Sequence, residues 1–162
     1  MASDETLRPP QDSRRFFMLP QGPMDSGYYV YGNLYGKPAK GAYQYAHPLV
    51  MTTILRVAFE WQAIDKRRMG VGDISLAGGP VTPDHASHRS GLAVDIRPLR
   101  KDGLEDPVKW WEREYDKEGT AKLIKLFRTL APVVTVLFNA PGIPFLTKYP
   151  GHDDHFHVRL KG

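Results

Sequence analysis

The chain has 162 residues, enough for one domain with a real core and too few for two comfortable ones. It has no cysteine, which excludes a thiolate nucleophile, a cysteine zinc site and any disulfide framework. The net charge of +4 suits either an anionic partner or plain solubility, and no Lys/Arg block interleaved with aromatics points to nucleic acid.

Residues 1–27 are rich in Pro, Arg and Asp and show no periodicity, which predicts an extended or partly disordered arm before a domain over 28–162. The start, Met1 to Thr6, has neither the basic nor the apolar region of an export signal. The run Phe16-Phe17-Met18-Leu19 is too short for a signal or a membrane span. The expectation is a chain made in the cytoplasm without a signal peptide and with no stable membrane insertion. Residues 28–47 are dense in Tyr and Gly, and read as a loop whose rings pack on the core edge in preference to a substrate-facing wall.

Pro48 opens a helix predicted to run to about Met69, with Val50, Ile54, Val57, Trp61 and Ile64 forming one apolar stripe. Lys66-Arg67-Arg68 would complement the last turn, and Gly70 would stop it. Asp73 to Gly79 alternates and ends in glycines, so it reads as a strand. Leu92 to Ile96 is the next strand and carries Asp95. Asp106-Pro107 looks like the cap of a short helix through Trp110, Trp111 and Tyr115. A further helix from about Thr120 to Leu130 would bury Leu123, Leu126, Phe127 and Leu130. Val133 to Phe138 reads as a buried strand and His155 to Leu160 as the last one. This order predicts an α+β fold, a small mostly antiparallel sheet with helices packed against it.

The histidines are not scattered. Of 6 in the chain, His152, His155 and His157 lie in one segment, His85 and His88 in another, and His47 stands apart. Side chains two apart on a strand share a face, so His155 and His157 should project together. Paired imidazoles make a poor core and a good metal or proton-transfer site. The bland alternative is a set of solvated loop histidines. A catalytic zinc site needs three N or O ligands and one open position. Gly91, between His88 and Asp95, would let the chain turn from loop into strand so that both face one metal, with one member of the His-x-His pair as third ligand.

His88, Asp95 and His155-Phe156-His157, with His85 and His152 each three residues ahead of a motif, resemble the penicillin-insensitive murein endopeptidases. That family is grouped with the lysostaphin, D-Ala-D-Ala carboxypeptidase and hedgehog zinc proteins. Gly72-Asp73-Ile74-Ser75, Gly78-Gly79 and Val158-Arg159 look like family sequence too, and the likeness covers roughly residues 30 to 160. The resemblance implies a hedgehog/D-Ala-D-Ala-peptidase-like fold with a zinc site at the sheet. It implies Zn2+ ligands His88, Asp95 and His157. His155 would be the general base or electrostatic partner of the attacking water. His152 and His85 would line the site, stabilising the oxyanion or orienting water.

The activity implied is zinc-dependent hydrolysis of peptidoglycan cross-links, typically D-Ala to meso-diaminopimelate, by a monomer acting on the periplasmic or external cell wall. Without an export signal it would arrive after holin-type release, as a lysin, or through a secretion machine, as an effector. The alternatives are a carboxypeptidase on wall peptides, with Arg89, Arg97 or Arg159 holding a free carboxylate, and a non-catalytic zinc-containing wall-binding module.

Overall fold

The structure, a computed structural model, describes residues 9–21, 25–34, 37–38, 41–83 and 85–162. Its strands are β1 (Phe17–Met18), β2 (Tyr28–Val30), β3 (Asn33–Leu34), β4 (Lys37–Pro38), β5 (Tyr45–Ala46), β6 (Met69–Val71), β7 (Ala93–Ile96), β8 (Val133–Leu137) and β9 (Phe156–Leu160). The helices are α1 (Pro48–Gln62) and α2 (Lys117–Leu130). Five strands form the main sheet in the order β2-β6-β7-β9-β8. Only the β2–β6 pair is parallel, so the α+β, mostly antiparallel expectation holds. Among the described residues, no helix is long and apolar enough to cross a membrane.

Alternation along the two central strands divides the molecule into a core face and a site face. Val94 and Ile96 of β7, with Phe156, Val158 and Leu160 of β9, enter the core. There they join Val50, Ile54, Val57 and Trp61 of α1 and Leu123, Ile124 and Phe127 of α2. Side chains alternate on a strand, so Asp95 and His157 must emerge on the opposite face. They are direct cross-strand partners in the β7–β9 register. Burying the apolar set on one side therefore fixes the Asp95–His157 pair on the other.

Three predicted elements end or begin elsewhere. The first helix stops at Gln62, not Met69, and Ile64 is exposed. The Asp65 carboxylate accepts from the Arg67 backbone N–H at 2.8 Å and from Arg67 Nε at 3.0 Å. Such local side-chain bonds offer the backbone an alternative to the helix. Met69 and Gly70, expected as helix end and stop, belong to β6. The segment 73–79 is not a strand but a loop bridged only at Ser75 to Gln44. The Trp110-Trp111 region is a turn, not a helix, because the Trp110 N–H bonds the Asp153 carbonyl at 3.1 Å.

Other expectations stand closer to the structure. The helix predicted from Thr120 starts three residues earlier, capped by Asp116, whose carboxylate accepts from the Gly119 N–H at 3.0 Å. Val133–Leu137 is an edge strand with Val134 facing solvent, so it is less buried than expected. Pro48 is indeed the first helical residue, and His47 caps that helix by accepting the Leu49 N–H at 3.1 Å. Within 28–47, Tyr28 and Tyr43 are buried, while Tyr35 lies outside the described residues. Of the N-terminal arm, residues 9–21 run against the fold: β1 pairs with β5 and Leu19 is buried.

Candidate functional site

Asp95 is the centre. Its Oδ1 accepts from His157 Nδ1 at 2.9 Å, and its Oδ2 lies 3.1 Å from His88 Nε2 and 3.9 Å from His155 Nε2. His88, Asp95 and His157 are all buried. Burial disfavours charge on Asp95, yet His88, the His157 and His88 hydrogen bonds and His155 outweigh it and hold the carboxyl well below its usual range. Burial likewise opposes charge on His88, but Asp95 beside it wins and raises the imidazole above its ordinary value.

Several of the rings are aimed by partners behind them. His88 Nδ1 sits 2.9 Å from the Ile74 carbonyl, which can only accept, so Nδ1 carries a proton and the ring is turned with Nε2 toward Asp95. His155 Nδ1 is 2.9 Å from Asp154 Oδ1, so its Nε2 likewise turns to the cluster. Burial would lower His155, but the Asp154 hydrogen bond and the Asp95 charge outweigh it, and its basicity is raised. His152 Nδ1 faces the Pro150 and Tyr149 carbonyls at 3.1 and 3.3 Å, and burial followed by the His155 charge lowers it. His85 Nε2 is 2.5 Å from Asp73 Oδ2.

All five histidines of the two segments stand in one chain of ring contacts. Centroids are 4.4 Å apart for His85–His88, 4.8 Å for His88–His157, 5.8 Å for His157–His152 and 4.8 Å for His152–His155. His47 is apart, against Phe16. His85, His88 and Asp95 each offer a ligand atom within 4.8 Å of the others, so a His/Asp cluster able to hold a metal ion is present. The donors, neutral imidazole nitrogen and carboxylate oxygen, are of the kind zinc accepts. His85 stands in that cluster where His157 was expected, while His157 reaches the same Asp95 from the opposite strand.

The residues that aim these rings went unassigned in the sequence. Asp154 adjoins His155 directly and Asp73 lies in the Gly-Asp pair, but nothing in spacing alone pairs Asp73 with His85 twelve residues on. The loop bearing His88 is held by the N-terminal arm. Arg14 donates to Asp12 Oδ2 at 2.6 Å, Ser75 Oγ at 2.9 Å, the Leu76 carbonyl at 2.9 Å and the Arg89 carbonyl at 2.6 Å. Gly91 has φ of +70°, and a Cβ there would lie 2.8 Å from the His47 nitrogen, so this turn into β7 requires glycine.

A cleft of about 310 Å³ opens onto the cluster, lined by Asp73, His85, Asp95, Asp154 and His155 together with Tyr31, Arg97 and Pro107. A larger hollow of about 680 Å³, beside Lys66 and Arg67, contains none of the histidines. Tyr31 Oη is buried without a hydrogen-bond partner among the described residues, and a Cβ on Gly72 would lie 2.7 Å from it. Burial first, and then Asp95, push the phenol well above its ordinary value, so it stays a neutral O–H.

Residues 38–129 match the family model for penicillin-insensitive murein endopeptidase. The chain is also 29% identical over 147 residues to a penicillin-insensitive murein endopeptidase of Haemophilus influenzae, covering 72% of this chain and 51% of that protein. It thus spans about half the length of the curated relative it matches. The family match takes in His85, His88 and Asp95 and ends before the last strand. Because it covers more than half of the residues and runs through the loop and strand that build the site, the chain belongs to the penicillin-insensitive murein endopeptidase family.

Proposed function

We propose that the protein is a zinc-dependent peptidase that hydrolyses the peptide cross-links of peptidoglycan, at the D-Ala to meso-diaminopimelate bond, and acts at the cell wall. The observation that carries this is the convergence of His88, His157 and His155 on the buried Asp95 carboxylate, with two of the three rings fixed by partners behind them. His88, Asp95 and His157 would hold the ion. When bound, zinc would polarise the scissile carbonyl and acidify the attacking water. His155, with Nδ1–H held by Asp154, presents Nε2 to take the proton from that water and return it to the leaving amine. His152 and His85 line the same space and would steady the developing oxyanion or the water. The raised basicity of His155 and its position in the cleft support an imidazole as the base.

Digestion of purified sacculi tests this directly. Loss of cross-linked muropeptide dimers with release of monomers is expected. Loss of a terminal alanine alone would make it a carboxypeptidase, and an unchanged muropeptide profile with retained wall binding would make it a binding module.

A further inference from the structure

The carboxylates of the cleft are engaged by its histidines, but its one arginine is not ion-paired. Asp73 faces His85, Asp154 faces His155, and Asp95 faces His88 and His157. Arg97 is the single Lys or Arg among the cleft's lining residues. Among the described residues it makes no ion pair. Its Nη1 donates to the Glu105 carbonyl at 3.0 Å, and its guanidinium lies 3.9 Å over the Tyr31 ring. The Tyr31 ring in turn lies against Gly72, where a Cβ would come within 2.5 Å of it. A half-buried guanidinium stacked on an aromatic floor, with one nitrogen bonded to the Glu105 carbonyl and a further hydrogen bond to the Tyr29 side chain, is a held cation that keeps donors to spare.

Position says what it would meet. Arg97 follows β7, is bonded through its N–H to the Gly70 carbonyl at 3.0 Å, and stands two residues beyond Asp95. Residues two apart on extended backbone share a face and are about 6.6 Å apart. That is the span of one short residue plus a charge-assisted hydrogen bond. Arg89 and Arg159, both exposed, do not line the cleft.

Resting on the peptidase reading above, we propose that Arg97 binds a free carboxylate on the carbon that carries the leaving amine of the scissile bond. Two sources share this chemistry. One is the diamino-acid residue of a cross-link, whose amine-bearing carbon also bears a carboxylate. The other is the C-terminal residue of an uncross-linked peptide. Both present the anion one residue from the bond cut, where a planar fork can hold it through two parallel hydrogen bonds.

The test uses the zinc-loaded full chain and three probes. They are a cross-linked muropeptide dimer with that carboxylate free, the same dimer with it amidated, and a linear pentapeptide ending in a free carboxylate. The parent should prefer the free-acid dimer over the amidated one by about 10- to 100-fold in kcat/KM, mostly through KM. Arg97→Gln should remove that preference while keeping its zinc. Arg97→Lys, which keeps the charge and loses the fork, should retain part of it and guards against a misfolded Gln variant. Cleavage of the dimer without the pentapeptide assigns the carboxylate to the cross-link, and the reverse assigns it to a chain terminus. Equal parental rates on free-acid and amidated dimers would overturn the subsite and leave the peptidase intact. If neither the dimers nor the pentapeptide is cut, the peptidase reading fails, and calorimetric titration of both dimers still decides: a preference that Arg97→Gln abolishes supports the subsite, equal binding overturns it.

Discussion

His157 and His85 compete for one role, because both rings stand beside His88 at closely similar separations. His85 has its Nε2 committed to Asp73 at 2.5 Å, whereas His157 Nδ1 points at the Asp95 oxygen. His157→Ala and His88→Ala should therefore lose bound metal and turnover together, and His85→Ala should keep its metal. Zinc counted per chain decides this; a His85→Ala protein without zinc would put His85 in the ligand set. His155 separates catalyst from ligand at the same scale. Its nearest approach to the centre is 3.9 Å, and its other nitrogen is held by Asp154. His155→Ala should retain zinc and lose about 10²- to 10⁴-fold in rate. Parental cleavage of sacculi by that variant would move the base to His152 or His85.

Elements meet at two polar knots, and each makes a prediction. Arg14 ties the N-terminal arm to the 75–79 loop and to Arg89, next to His88, through three hydrogen bonds. Hydrogen bonds of a charged group contribute about 1.5–3 kcal/mol when partly buried, so Arg14→Ala should cost stability in that range. Faster amide exchange across 75–79 should accompany the loss. Unchanged exchange there would mean that the arm packs without supporting the loop. The second knot joins the residues just after α1 to the start of α2: Arg67 pairs with Asp65 at 2.7 Å and Asp116 at 2.8 Å. The Arg67 hydrogen bond holds Asp65 below its ordinary value of 3.8. At Asp116 burial is outweighed by the Gly119 and Arg67 bonds, with the same outcome. Carboxyls that are more acidic when folded stabilise fully above their unfolded value and lose that contribution as pH falls through the folded one. Urea midpoints should thus drop below about pH 4. An Asp65→Asn, Asp116→Asn double variant should show a shallower drop.

Across the whole molecule the apolar core is continuous from α1 through the sheet to α2 and does not pass through the histidine cluster. Chelation should therefore abolish activity, with zinc restoring it, while the apo chain stays folded and melts at a lower temperature by mass action. Cooperative unfolding on chelation alone would mean that the metal is part of the core. The sequence by itself determined where the cluster lies: two histidine segments and one strand aspartate meet in it, and alternation along β9 put Phe156 in the core and His157 opposite. It also determined both long helices, since their apolar stripes have a period that any chain of these residues must bury. What it could not determine were elements decided by partners distant in the chain. The Trp110 turn depends on Asp153, and the 73–79 loop gives the Ile74 carbonyl to His88 and the Asp73 carboxylate to His85. The helix end at Gln62 rests on a local Asp65–Arg67 contact that periodicity does not register. Only the tertiary structure placed Arg97, of three candidate arginines, inside the cleft. A guanidinium's reach depends on which face its strand presents and what ring lies beneath it, and both are set by packing, not by spacing.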